Sequence, residues 1–110
     1  GDGGLASSAR ALACFTEALL SGGLVPRARL REMVTPGPRR HLPGYGLGLV
    51  SRRDGAAVVA GHDGFYLGWT ASTGMDDATG TTVAAVANLG GVRIPAARIA
   101  AAARRALAAA

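Results

Sequence analysis

From Ala56 to Asn88 the chain reads AAVVAGHDGFYLGWTASTGMDDATGTTVAAVAN, and this stretch decides the fold. Valine and alanine dominate its start, up to Gly61, and side chains of alternating character follow from Trp69 to Met75. Turn-forming residues fill 76–80, and small apolar residues then continue to Asn88. Period-two alternation between turn signals predicts antiparallel strands. Because the last run is apolar on both sides, we expect both of its faces to be covered, with the C-terminal helix as the candidate for one of them.

The residues before this stretch extend the sheet. Alternation at 45–49 and a turn at 52–55 predict one more strand, which forms a hairpin with the run that ends at Gly61. Proline, glycine and arginine are frequent in 36–44, which we interpret as an exposed loop between a helical region and the strands. We therefore place the antiparallel strands within 45–88.

Helical patterns flank the strands. Ser7 and Ser8 offer an N-cap, Leu12, Phe15 and Leu19 form an apolar stripe, and Ser21-Gly22-Gly23 ends this helix. A second short helix begins at Pro26 and stops at Thr35-Pro36. A third helix, 94–109, has a broad alanine-rich surface that suits packing on the sheet. The prediction is a single α+β domain over 1–110, with a helical region over 1–35, antiparallel strands over 45–88 and a C-terminal helix over 94–109.

Composition excludes several classes of protein. The chain has 110 residues, 49% of them hydrophobic, and a net charge of +5. Its twelve cations are all arginine and lie scattered, without interleaved aromatic residues, which argues against nucleic-acid binding. No run reaches the ~20 apolar residues of a membrane span. No pattern calls for a cofactor. The one cysteine, Cys14, falls in an apolar helical pattern, where we expect a buried, inert thiol.

The segment Gly61-His62-Asp63-Gly64-Phe65 carries the chemistry. Glycines beside a strand end allow close approach of a ligand, and His62 can donate, accept or carry a proton near neutral pH. A structural alternative stays open, in which His62 caps a turn and the glycines serve a bulge.

The order of several short segments along the chain resembles that of a known protein family. Gly3-Gly4-Leu5-Ala6-Ser7-Ser8 comes first, Tyr45-Gly46-Leu47-Gly48 and Gly61-His62-Asp63-Gly64 follow, and Asn88 ends the last strand. In this order the segments resemble the C-terminal half of the serine β-lactamase family, which includes D-alanyl-D-alanine carboxypeptidases, other penicillin-binding proteins and esterases. The resemblance covers nearly the whole chain and makes it a partial domain.

The resemblance implies a site built from three motifs. They are Ser-x-x-Lys, Tyr-x-Asn, and Lys-Thr-Gly or His-x-Gly on the strand that faces the substrate. His62-Asp63-Gly64 matches the last of them. By that resemblance His62 supports the nucleophile, Gly64 leaves room for substrate, Asp63 influences substrate selection, and the backbone N–H of Phe65 donates to an oxyanion. Losing one such donor typically costs ~3 kcal/mol of transition-state stabilisation.

Two of the three motifs are missing from the chain. It has no lysine, which excludes Ser-x-x-Lys, and Asn88 is preceded two positions earlier by Val86, which excludes Tyr-x-Asn. The resemblance therefore implies a hydrolase whose nucleophile and remaining strands come from an upstream part of the same protein, so that this chain alone is inactive. In the isolated chain, residues 81–87 would present an unpaired edge prone to aggregation. The alternative is a non-catalytic binding or structural module with the same cleft wall.

Other chemistries find little support. Cys14 would form a catalytic pair with His41 or His62 only if the fold brought them together. Two histidines without paired spacing argue against zinc, and Asp76-Asp77 suits a solvated turn. Peptides, β-lactams and esters all remain open as substrates. An extracytoplasmic bacterial location is implied by the family alone.

Overall fold

The computed structural model describes residues 4–38, 43–90 and 94–110. Within these ranges two helices precede four antiparallel strands, and a third helix follows them. The elements are α1 (Ala9–Leu20), α2 (Arg27–Val34), β1 (Val50–Asp54), β2 (Ala57–Tyr66), β3 (Trp69–Asp76), β4 (Thr82–Ala87) and α3 (Pro95–Ala108). The predicted α+β class and the order of its elements are confirmed.

Helix α1 starts where the sequence predicts but buries a different stripe. The Ser8 hydroxyl accepts a hydrogen bond from the backbone N–H of Ala11 at 3.2 Å, which makes Ser8 the N-cap. The buried side chains are Thr16, Leu19 and Leu20, because the Thr16 hydroxyl turns toward the sheet. Phe15 is therefore 56% exposed rather than part of the stripe.

Cys14 lies on the outer side of α1. It is exposed, and the prediction of a buried thiol is wrong. Two residues along an α-helix correspond to about 200° of rotation, so a residue two positions before the buried Thr16 points away from the sheet. The apolar neighbours of Cys14 in sequence did not reveal this orientation.

The four strands form a meander in the order β1-β2-β3-β4. A two-residue turn at Leu67–Gly68 joins β2 to β3, with φ of 44° and 81°. Positive φ at both central residues is typical of the type I′ turn, whose twist matches that of paired strands. This turn fixes the register between β2 and β3, in which His62 lies opposite Thr73.

The register sorts side chains onto two faces, because directly opposite residues in a sheet project to the same side. His62, Thr73 and Ala84 share the face toward α1, named here the His62 face. The hydroxyl oxygens of Thr16 and Thr73 lie 2.8 Å apart and tie α1 to this face. The other face, named the α3 face, includes Ala85, which packs against buried alanines of α3. Helices thus cover β4 on both faces, as its composition predicts.

The segment before β1 differs from the prediction. Residues 45–49 do not form a strand, because a turn at Leu47–Gly48 reverses the chain after Tyr45. Tyr45 makes an isolated bridge to Val50, and β1 itself covers 50–54. The predicted turn at 52–55 is also wrong in its extent, since the reversal occurs at Gly55–Ala56. Within the predicted loop 36–44, residues 39–42 lie outside the described residues.

Gly46 holds this segment against α2. A Cβ built on Gly46 would overlap the backbone carbonyl oxygens of Met33 and Thr35. We expect Gly46→Ala to lower the free energy of unfolding by about 1–3 kcal/mol, the usual cost of overpacking. Denaturant titration of the two proteins measures the difference. An unchanged unfolding midpoint would show that the segment does not depend on this contact.

None of the helices within the described ranges combines the length and the apolar character that a bilayer crossing demands.

Candidate active site

His62 lies in the interior of β2, four residues before the strand ends. It is opposite Thr73 in the register, and its half-buried side chain projects onto the His62 face. The turn that follows is at Leu67–Gly68, so the structural alternative of a turn-capping histidine does not apply. The expected position at a strand end is also wrong, because β2 continues through the motif to Tyr66.

Tyr45 is the hydrogen-bond partner of His62. Its hydroxyl lies 2.9 Å from Nε2 of the imidazole, and the two rings meet edge to face with centroids 5.5 Å apart. Both side chains are half-buried. Sequence reasoning placed Tyr45 among the segments of the resemblance and in a strand, but not beside His62. Only the pairing of this segment with β1 could have revealed the contact.

Gly64 leaves open space on the same face. A Cβ built there would meet no atom within 4 Å, and the residue lies opposite Ala71, two positions beyond His62 along β2. A ligand can therefore approach the strand closely at this point. This geometry suits the role that the family resemblance implies for Gly64.

We expect Gly64→Ala to fold normally yet lower kcat/KM of the complete protein about tenfold if, as the family resemblance implies, the added methyl group occupies space that a substrate needs. Gly37→Ala is the matched control, since a Cβ there meets its nearest neighbour, the Tyr45 oxygen, at an ordinary 3.7 Å. Steady-state kinetics and thermal melting of both variants test the prediction. Full activity in Gly64→Ala would remove Gly64 from the site.

The backbone N–H of Phe65 points to the open edge of β2. The turn at Leu67–Gly68 makes Tyr66 and Trp69 the closing hydrogen-bonded pair, so Phe65 and Thr70 form a pair that exchanges no hydrogen bonds. The N–H of Phe65 then faces the side where β1 lies, but the pairing with β1 ends at Gly61. No strand in the described portion of the chain reaches this N–H. Its direction suits the implied donation to an oxyanion.

Asp63 projects onto the opposite face. It lies opposite Ser72, whose hydroxyl donates to a carboxylate oxygen at 2.6 Å, and Arg52 contacts the other oxygen at 3.1 Å. These contacts hold the carboxylate on the α3 face, away from the His62 ring. The position does not favour the expected contact between the Asp63 side chain and a substrate on the His62 face.

Three further candidates are a metal site, the acidic turn at 76–77 and the pair of Cys14 with a histidine. Among residues 4–38, 43–90 and 94–110, no group of three or more histidine, cysteine and acidic side chains could hold a metal ion. Asp76 accepts a hydrogen bond from the backbone N–H of Ala78 at 2.9 Å, which is the turn role expected of it. His41 lies outside the described residues, so whether the fold brings it near Cys14 stays open.

Comparisons with known proteins agree with this arrangement. A family model described as Beta-lactamase matches residues 1–108. No curated protein sequence matches the chain significantly. Among solved structures, D-amino acid amidase from Ochrobactrum anthropi SV3 in complex with D-phenylalanine is similar with a TM-score of 0.72 and 28% identity, covering 93% of this chain and 36% of the amidase. The same amidase with L-phenylalanine amide gives a TM-score of 0.64 and 30% identity over 76% of this chain and 26% of the amidase.

The chain therefore spans about a third of the length of the enzyme that it matches. The family match extends over nearly all its residues, and the fold and the order of its elements agree with it. This chain belongs to the β-lactamase family.

Proposed function

We propose that this chain forms the sheet wall of the active site in a serine hydrolase that cleaves amide or ester bonds through an acyl-enzyme. The observation that carries the proposal is the arrangement at the open edge of β2. Residues 62–65 bring together three groups there. They are a histidine, a glycine whose Cβ position is free of other atoms, and a backbone N–H that no neighbouring strand in the described residues reaches. Such a wall suits a carbonyl substrate that lies along the strand.

Each group has a defined role in the proposed reaction. A serine hydroxyl from outside this chain attacks the substrate carbonyl carbon, and the carbonyl oxygen gains a negative charge. The N–H of Phe65 donates a hydrogen bond to that oxygen, and His62 supplies a polar group beside the reacting atoms. The leaving amine or alcohol departs with a proton, and water then hydrolyses the acyl-serine. The upstream part of the same protein supplies the nucleophile and its base, since this chain has no lysine.

Amides of amino acids are the first substrates to test. The similar enzyme is a D-amino acid amidase, in structures with D-phenylalanine and with L-phenylalanine amide. D-alanyl-D-alanine peptides, β-lactams and esters are the other classes that the family suggests. An extracytoplasmic bacterial location is proposed on the family alone.

The experiment measures kcat/KM of the complete protein for D-phenylalanine amide, L-phenylalanine amide, a D-alanyl-D-alanine peptide, a cephalosporin and a nitrophenyl ester. The proposal expects hydrolysis of at least one, with a burst of the first product when deacylation is slow. Tight binding of a substrate without turnover would favour the non-catalytic module. Affinity that falls steeply with salt would instead favour a basic surface-binding domain.

A further inference from the structure

We propose that Tyr45 is a positioning residue, which holds the His62 imidazole through Nε2 and leaves Nδ1–H as the donor toward the bound ligand. The inference rests on the proposed function for its effect on catalysis. Its structural component, the tautomer of His62, rests on the contact between the Tyr45 hydroxyl and Nε2 and on the donor and acceptor chemistry of the two groups. The two components can therefore fail separately.

The backbone around Tyr45 is anchored on both sides. Tyr45 bridges to Val50, and the N–H of Ser51 donates to the carbonyl oxygen of Gly44 at 2.8 Å. On the other side the N–H of Gly46 donates to the carbonyl oxygen of Leu49, also at 2.8 Å. The phenol therefore projects from a fixed point toward β2. A partner so anchored can restrict the rotation of the imidazole.

We infer the direction of the hydrogen bond from the donor and acceptor strengths of the two groups. A neutral imidazole has one N–H and one acceptor nitrogen, whereas a phenol can both donate and accept. The phenol is the stronger donor of the two groups and the unprotonated imidazole nitrogen is the stronger acceptor, which favours donation from Tyr45 to Nε2. Donation from Tyr45 to Nε2 satisfies the phenol and places the proton of His62 on Nδ1.

The chemical consequence concerns the ring nitrogen that is left. Among the described residues Nδ1 has no hydrogen-bond partner, so its N–H is available to a ligand. A donor fixed in advance stabilises negative charge that develops during acyl transfer without a cost of reorientation. Without Tyr45 the ring would exchange tautomers and rotate, and the donor would be present only for a fraction of the time.

The test uses the complete protein, with Tyr45→Phe as the variant and Tyr66→Phe as the matched control. Phenylalanine retains the edge-to-face ring contact and removes only the hydroxyl. Tyr66 is the only other tyrosine, and it is 61% exposed on the same face of the sheet. Nitrogen-15 NMR of the histidine side chains reports the tautomer directly, and steady-state kinetics report kcat and KM.

In the wild-type protein we expect His62 to show the Nδ1–H tautomer with Nε2 unprotonated. Tyr45→Phe should give a mixture of tautomers and a roughly tenfold lower kcat with little change in KM, the loss of about one hydrogen bond. Tyr66→Phe should change neither. An Nε2–H tautomer in the wild type would overturn the proposal, and so would a Tyr45→Phe variant that matches Tyr66→Phe in both measurements.

The two proposals are distinguishable by their failures. If the wild type hydrolyses no substrate, the proposed function fails, while the NMR measurement still decides the tautomer. If the wild type is active and Tyr45→Phe retains full kcat, the positioning role fails and the hydrolase stands. Should Tyr45→Phe not fold, the tautomer in the wild type alone still tests the hydrogen-bond direction.

Discussion

His62→Ala is expected to lower kcat/KM of the complete protein by about 10²- to 10³-fold, the effect of removing one preorganised donor from the proposed acyl-transfer site. The reason is geometric. The ring projects onto the His62 face beside the open space at Gly64, and its hydrogen bond to Tyr45 at 2.9 Å holds it there. Alanine removes the donor beside that open space. Water that enters there would stabilise the negatively charged oxygen of the acyl-transfer intermediate less effectively than a fixed group.

The loss should fall mainly on kcat, because the interaction strengthens in the transition state. His62→Gln serves as the control, since its amide restores a hydrogen-bond donor of similar reach and should recover some of the rate. Melting temperatures confirm that both variants fold. More than half of the wild-type activity in His62→Ala would remove the residue from the mechanism.

Asp54→Ala is expected to lower the free energy of unfolding by about 3–5 kcal/mol, the usual cost of leaving a buried charge without its partner. Asp54 closes β1, and its carboxylate contacts two arginines of α3. Nε of Arg104 lies 3.3 Å from one oxygen, and Nη1 of Arg105 lies 2.9 Å from the other. The Arg104 side chain is only 6% exposed, so the guanidinium depends on this carboxylate.

Arg105→Ala provides the matched control. Its side chain is 60% exposed, and a pair of that kind contributes at most about 1 kcal/mol. In denaturant titrations of the complete protein, the loss in free energy of unfolding should therefore be several fold larger for Asp54→Ala than for Arg105→Ala. Equal small effects would mean that Arg104 finds another partner when Asp54 is absent, and the role assigned to this ion pair in fastening α3 would be wrong.

The features that sequence reasoning predicted correctly are local ones. Ser8 caps α1 because a serine before an apolar run satisfies a free N–H group within three residues. The turn after Asp76 follows from an Asx hydrogen bond two residues along the chain. The cover on both faces of β4 and the packing of α3 on one of them follow from its composition, since a strand of small apolar residues needs cover on both faces.

The features that it missed depend on register. Leu67 has a φ of 44°, a conformation that leucine seldom adopts, so the turn that sets the β2–β3 register carried no clear signal in the sequence. That register places the Asp63 side chain beside Ser72 on the α3 face, which the sequence did not indicate. The contact between Tyr45 and His62 likewise depends on a turn at Leu47–Gly48, which an alternating pattern concealed.

A covalent label would show whether this chain forms, as we propose, the sheet wall of a serine acyl-transfer site. The most direct measurement is the intact mass of the complete protein after brief exposure to a β-lactam or an activated ester, followed by peptide mapping. We expect a mass increase of one acyl group on a serine outside these 110 residues, with labelling slowed in His62→Ala. Labelling of a residue within this chain, such as Cys14, or labelling at the same rate in His62→Ala, would contradict it.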